Sequence, residues 1–124
     1  MKNLILASAS VAALAIAAPA MAQNNQSNVT QGGQFNDAEV NQVGSNATAT
    51  VTQTGTGAAG ERMNEVLIDQ SGDGAEAFVS QAGSDRNEAQ VDQNGDSYAS
   101  IVQDGTAQGG EIWQTGDDNE AYID

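Results

Sequence analysis

The chain contains no cysteine and no histidine. Without cysteine an exported protein has no disulfide framework, so its stability has to come from elsewhere. With neither residue, and with serines only in turns and at strand margins, there is no base at a recognisable spacing from a nucleophile, and the sequence reads as non-enzymatic. The single proline, Pro19, and the single lysine, Lys2, both lie in the first 22 residues. The remainder therefore lacks two residues with which soluble proteins blunt exposed strand edges. Aromatic residues make up 4% of the chain, and the only long apolar run, Leu4 to Ala18, is 15 residues. That is short of the roughly 20 needed to span a bilayer as a helix, so no transmembrane segment is expected.

What stands at the N-terminus fits a secretory signal. Lys2 supplies the positive end, the apolar run follows, and Ala20-Met21-Ala22 offers a small-x-small cleavage site. The expected organisation is a signal peptide over residues 1–22 and a repeat domain over residues 23–124. Removing the signal leaves Arg62 and Arg86 against 17 acidic residues, a formal charge of −15. Such a surface repels nucleic acid and anionic lipid and favours solubility before assembly.

Few aromatics, much Gly, Asn, Gln and Ser, and a high net charge ordinarily describe a disordered tract that buries too little apolar surface to offset chain entropy. Composition ignores phase, however. The stretch Asn87 to Gly95 reads N-x-A-x-V-x-Q-x-G, and in an extended strand Asn87, Ala89, Val91 and Gln93 share one face while Glu88, Gln90 and Asp92 share the other. The Q-x-G ending occurs at Gln31, Gln42, Gln53, Gln70, Gln81, Gln93, Gln103 and Gln114, at intervals of 11, 11, 17, 11, 12, 10 and 11. Its glycines are Gly33, Gly44, Gly55, Gly72, Gly83, Gly95, Gly105 and Gly116, and the strand-opening asparagines are Asn36, Asn64, Asn87 and Asn119. The interval of 17 is one unit plus an eight-residue insertion, Thr56 to Met63. A ninth unit, Asn119-Ala121-Ile123, precedes the last residue, Asp124.

Self-similarity at a fixed period marks a solenoid, whose units bury a face only by stacking on their neighbours. The predicted fold is all-β: strands of about seven residues joined by short turns rich in Gly, Asp, Ser and Asn, two per rung of about 22 residues. Arg62 and Arg86 fall in the longer turns, as solvated corners. Inward positions carry Ala, Val and Ile, with Asn or Ser at the start of a strand and Gln at its end. Rungs stacked about 4.8 Å apart let equivalent Gln amides bond in a ladder, each amide being both donor and acceptor. A carboxylate stack in that place would bury like charge.

On the outward side, stacking of alternate units puts Asp37, Glu65 and Glu88 in one column and Asp69 beside Asp92 in another. Stacked like charges are unfavourable, and these columns serve as a solvated face that limits aggregation or as a brake on assembly released by protons or Ca²⁺. Single carboxylates one rung apart do not define a metal site, and no cofactor is expected. Outward Phe78, Tyr98, Val102, Trp113 and Tyr122, all in the C-terminal half, are candidate lateral contacts or adhesion points.

At these residues the chain resembles curlin, the repeat subunit of the extracellular amyloid fibres of bacterial biofilms. The family pattern pairs two half-repeats, with Q-x-G-x-x-N bridging them and a second Gln closing the unit. Gln31-Gly33-Asn36-Gln42 and Gln114-Gly116-Asn119 match it closely, Gln81-Gly83-Asn87-Gln93 matches with one extra turn residue, and Gln70-Gly72-Gln81 matches without the Asn. The likeness runs from about Asn25 to Asp124. It implies a subunit that passes the periplasm and a dedicated outer-membrane pore with its accessory factors, and polymerises at the cell surface with itself and other curlin subunits for matrix, adhesion and cell aggregation. There is almost no Gly-rich leader between Gln23 and the first unit, and the insertion and uneven turns suit a nucleating subunit as well as a main one. The competing expectation is a secreted, calcium-responsive β-roll or adhesin module that does not polymerise, suggested by Gly72-Asp73-Gly74, although β-rolls keep a nine-residue beat. Outward Thr48, Thr50 and Thr52 do not continue into a flat threonine array, because the matching positions of the fifth unit are Glu76, Phe78 and Ser80.

Overall fold

A computed structural model describes residues 24–56, 64–83 and 86–124. The expected signal segment, Arg62 and most of the insertion after β3 lie outside the described residues. Among the described residues nine strands follow in order: β1 (Gln26–Gln34), β2 (Asn36–Gln42), β3 (Thr48–Thr56), β4 (Asn64–Gln70), β5 (Glu76–Ala82), β6 (Glu88–Asn94), β7 (Ser97–Asp104), β8 (Gly109–Thr115) and β9 (Asn119–Ile123).

Odd and even strands separate into two parallel sheets, β1-β3-β5-β7-β9 and β2-β4-β6-β8. Each strand therefore pairs with the strand two units away, and the chain winds as a β-solenoid of about four turns with about 22 residues per turn. Along the inward face the registers set apolar residue on apolar residue and Gln on Gln. Val29 faces Val51, Val51 faces Val79 and Val79 faces Ile101 in the odd sheet. Val40, Ile68, Val91 and Ile112 follow each other in the even sheet. A slip of one residue would turn all of these outward, which is why period-two patterning fixes the register.

The core is narrow. Ala49, Val51, Ala77, Val79, Ala99 and Ile101 from one sheet meet Ala38, Val40, Val66, Ile68, Ala89, Val91 and Ile112 from the other. Val and Ile supply the apolar driving force, each about 1.5–3 kcal/mol when fully buried. The neighbouring Ala keeps the two sheets close enough for polar side chains to reach across.

Corners repeat one backbone device. At seven corners the residue immediately before the strand-opening position takes a left-handed conformation: Asn24, Phe35, Asn46, Gly74, Arg86, Ala107 and Asp118, with φ between 59° and 79°. The Q-x-G glycines stack at the preceding bend. At Gly83, φ is 137°, and a Cβ would run into the backbone carbonyl of Gly105 one rung away. Gly72 has no such φ, yet a Cβ there would collide with the backbone of Gly95, so close stacking alone excludes a side chain. The glycine does not always end the strand: β1 and β3 continue through Gly33 and Gly55, which pair with each other.

Candidate assembly core and sheet edges

The Q-x-G glutamines form two columns, one per sheet. Gln31, Gln53, Gln81 and Gln103 are in register in the odd sheet, and Gln42, Gln70, Gln93 and Gln114 in the even sheet. In the first column Nε2 of Gln31 donates to Oε1 of Gln53 at 2.8 Å, Gln53 to Gln81 at 2.9 Å and Gln81 to Gln103 at 2.8 Å. In the second, Gln42 donates to Gln70 at 2.9 Å, Gln70 to Gln93 at 2.9 Å and Gln93 to Gln114 at 3.0 Å. All six bonds run in the same sense, from the earlier rung to the later.

In every ladder glutamine except Gln31 an amide hydrogen also crosses the core to a backbone carbonyl of the other sheet. Gln70 Nε2 donates to Thr48 O at 3.2 Å, Gln81 to Glu65 O at 3.1 Å, Gln93 to Ser97 O at 2.8 Å and Gln103 to Glu88 O at 3.0 Å. One primary amide thus satisfies three partners, the next rung, the previous rung and the opposite sheet's backbone, which a hydroxyl or a carboxylate cannot do. This lets Gln53, Gln70, Gln81 and Gln93 sit fully buried at no desolvation penalty from unpaired donors.

The strand-opening asparagines do not form a single set. Asn36, Asn64 and Asn87 stack in the even sheet's corner: Asn64 Nδ2 donates to Asn36 Oδ1 at 3.1 Å, and the Asn87 backbone N–H donates to Asn64 Oδ1 at 3.1 Å. Gln108 continues the column by donating its backbone N–H to Asn87 Oδ1 at 3.1 Å. Asn119 belongs to the other sheet and caps its own corner, donating to Thr115 O and Gly116 O at 3.1 Å each. In that sheet the equivalent column holds Asn25, whose Oδ1 accepts from the Ala47 N–H at 3.0 Å, and Ser97, whose Oγ donates to Gly116 O at 2.9 Å. Asn25, Ser97 and Gln108 each stand six residues before a Q-x-G glutamine, a spacing that marks the position whatever residue fills it.

Outward columns follow the same registers. Asp37, Glu65 and Glu88 stack, as do Asp69 and Asp92. Among the described residues no group of three or more His, Cys, Asp or Glu could hold a metal ion, and the calcium-responsive β-roll gains no support. At one corner Asp73 accepts from both the backbone N–H and the hydroxyl of Ser45, at 2.8 Å each, and these bonds hold its carboxyl below the usual carboxylate range. Arg86 is exposed in its turn. Phe78, Val102, Trp113 and Tyr122 are exposed, whereas Tyr98 is half-buried with its ring 5.5 Å from that of Tyr122. Sequence reasoning did not single out Phe35 and Val43, apolar residues exposed in the two corners that flank β2.

The family model of the curlin associated repeat matches residues 22–55, 64–95 and 96–124. The chain belongs to the curlin repeat family. The three matches tile most of the solenoid, each taking in a Q-x-G glutamine from both sheets. Curlin membership together with an all-strand solenoid points to a structural rather than an enzymatic protein. No curated protein and no solved structure matches the chain. No helix among the described residues is long and apolar enough to cross a membrane.

Proposed function

We propose that this curlin-repeat chain is a secreted subunit that joins end to end with further copies, and with other curlin subunits, into extracellular amyloid fibres that serve biofilm matrix, surface adhesion and cell aggregation. In this reading residues 1–22 direct export to the periplasm, and a curli-type outer-membrane pore with its accessory factors passes the mature chain to the cell surface. The observation that carries it is the one-way sense of both glutamine ladders. Among the described residues, Oε1 of Gln31 and Gln42 accepts no side-chain bond, while Nε2 of Gln103 and Gln114 makes one bond, to Glu88 O and Tyr98 O, and keeps a hydrogen to spare. One end of the stack offers acceptors, the other donors.

The sheet edges are complementary in the same way. The outer edges of β1 and β2, and of β8 and β9, carry no paired strand among the described residues. No lysine or proline in strands β1 to β9 blunts these edges. A second copy turned half a revolution about the axis sets its β1 on β8 and its β2 on β9, so backbone pairing continues in both sheets and Gln114 meets Gln31 of the new copy. Catalysis has no part in this function.

The purified mature chain is expected to form thioflavin-positive fibres after a lag, with a cross-β reflection near 4.8 Å. Gln31→Ala and Gln114→Ala should slow elongation more than Gln70→Ala, because they sit at the joining faces. Equal slowing by all three would refute end-to-end joining. Seeding by trace amounts of this chain into another curlin distinguishes a nucleator from a main subunit.

A further inference from the structure

The only two tyrosines of the chain meet on the outside of the odd sheet. Tyr98 of β7 stands opposite Glu120 of β9, and Tyr122 of β9 stands opposite Ser100 of β7. They are therefore diagonal neighbours on adjacent rungs, a separation that large rings span. Their ring centroids lie 5.5 Å apart with the planes inclined by 44°. Tyr122 is exposed by 66%, and Tyr98 is half-buried. The sequence has no thiol, and its one indole, Trp113, belongs to β8 in the other sheet.

We propose that Tyr98 and Tyr122 form an oxidative cross-linking site, at which hydrogen peroxide acting through a peroxidase joins the two rings as dityrosine. Each phenol gives up one electron and one proton. The two radicals form a carbon–carbon bond between ring carbons ortho to the hydroxyls, and the ortho hydrogens move to oxygen so that both rings are again phenols. The peroxide takes up the two electrons and two protons and leaves as two waters.

Coupling requires two tyrosyl radicals to meet before either is quenched. The fold supplies that proximity for residues 24 apart in the chain. Tyr122 gives the oxidant access, and electron exchange between neighbouring rings carries the oxidation to Tyr98. Desolvation, then the charge of Glu120 and the adjoining Tyr98, holds the Tyr122 hydroxyl above the usual tyrosine range. The ring thus meets the oxidant as a neutral phenol and loses its proton along with the electron. A diagonal aromatic pair packs as well with Phe as with Tyr; only the phenols couple.

The new bond ties β9 to β7 in a chain that has no cysteine for the purpose, and it restricts the unfolded chain as a disulfide does. Among the described residues β9 pairs on one side only, so it is a strand that frays readily and gains from a staple. The site lies within one chain and does not depend on how copies join.

The test treats an equal mixture of ordinary and isotopically heavy chain with peroxidase and hydrogen peroxide, and maps the products by peptide mass spectrometry. The expected product has the mass of one chain less two hydrogens, shows dityrosine fluorescence, and joins a Tyr98 peptide to a Tyr122 peptide of the same isotope. Tyr98→Phe and Tyr122→Phe, each with the circular dichroism of the wild type, should both lose it. Tyr98→Phe combined with Trp113→Tyr brings the second phenol nearer in sequence but places it on the opposite sheet, and should give no joined pair within a chain. Joining in that variant as efficient as in the wild type, joined peptides of mixed isotope only, or tyrosines left unjoined would overturn the proposal. Cross-linking should also slow amide exchange across β9 by at least about tenfold, and unchanged exchange would refute its part as a staple.

Discussion

Removing one interior rung of the amide ladder is the sharpest probe of what holds this solenoid together. Gln81 Nε2 donates to Gln103 Oε1 at 2.8 Å and to Glu65 O at 3.1 Å, and its Oε1 accepts from Gln53 Nε2 at 2.9 Å. Gln81→Ala deletes all three bonds, takes a donor from Gln103 Oε1 and from Glu65 O, and opens a void in a narrow core. At about 1 kcal/mol net per bond, plus the cost of orphaned groups and lost packing, the variant should lose about 3–5 kcal/mol. Gln31→Ala removes one ladder bond at a half-buried position and should cost about 1 kcal/mol. Urea unfolding of the β-structured chain, followed by far-UV circular dichroism, reads the difference. Equal losses in the two variants would refute the claim that bidirectional amide bonding, and not side-chain bulk, stabilises the core. Stability and growth should then separate, since Gln81 governs the first and Gln31 the second.

Gln81→Glu keeps shape but not donors: burial favours the neutral acid, so its pKa rises above the unfolded value of about 4.3. Its stability should be greatest below that value and fall as pH rises through the folded pKa, and a pH-independent loss would contradict this. For Asp73 the sign is opposite, because its lowered pKa means the Ser45 contact stabilises above the ordinary carboxylate range and fades as pH falls through the folded pKa. Ser45→Ala should move the Asp73 midpoint upward in an NMR titration. Gly83→Ala combines φ of 137° with a clash against Gly105, and should cost more than the roughly 1–3 kcal/mol of backbone strain alone in the same urea assay. Phe35, at φ 61°, is a bulky residue in a left-handed conformation, and Phe35→Asn should raise stability by about 1 kcal/mol. Fibre lag should shorten on added salt, which screens repulsion within the Asp37–Glu65–Glu88 column.

The phase of the glutamines carried most of the fold in the sequence. Once Gln, Val and Ala are held at fixed offsets, the period-two strand and the eleven-residue beat dictate two sheets, parallel pairing and the acidic columns. Cross-core bonds were not legible, because the carbonyls that Gln70 and Gln81 reach belong to residues 22 and 16 positions earlier, and only the closed coil brings them near. Division of the asparagines was hidden for a related reason. Asn119 looks like Asn36 in its local motif, yet sheet membership depends on whether the unit number is odd or even. Left-handed residues such as Phe35 and Ala107 escaped notice because the corner geometry, and not their side chains, demands that conformation.

Offsets between paired strands are not constant. Ala49 lies 22 residues after its partner Ser27, whereas Ala77 lies 28 after Ala49. The extra residues enter between β3 and β4, and Gln53 still meets Gln81. Alignment is therefore set by the paired strands and is indifferent to the number of residues that connect them. A tag, an enzyme-cleavable linker or a binding peptide inserted between β3 and β4 should leave the pairing of Gln53 with Gln81 intact.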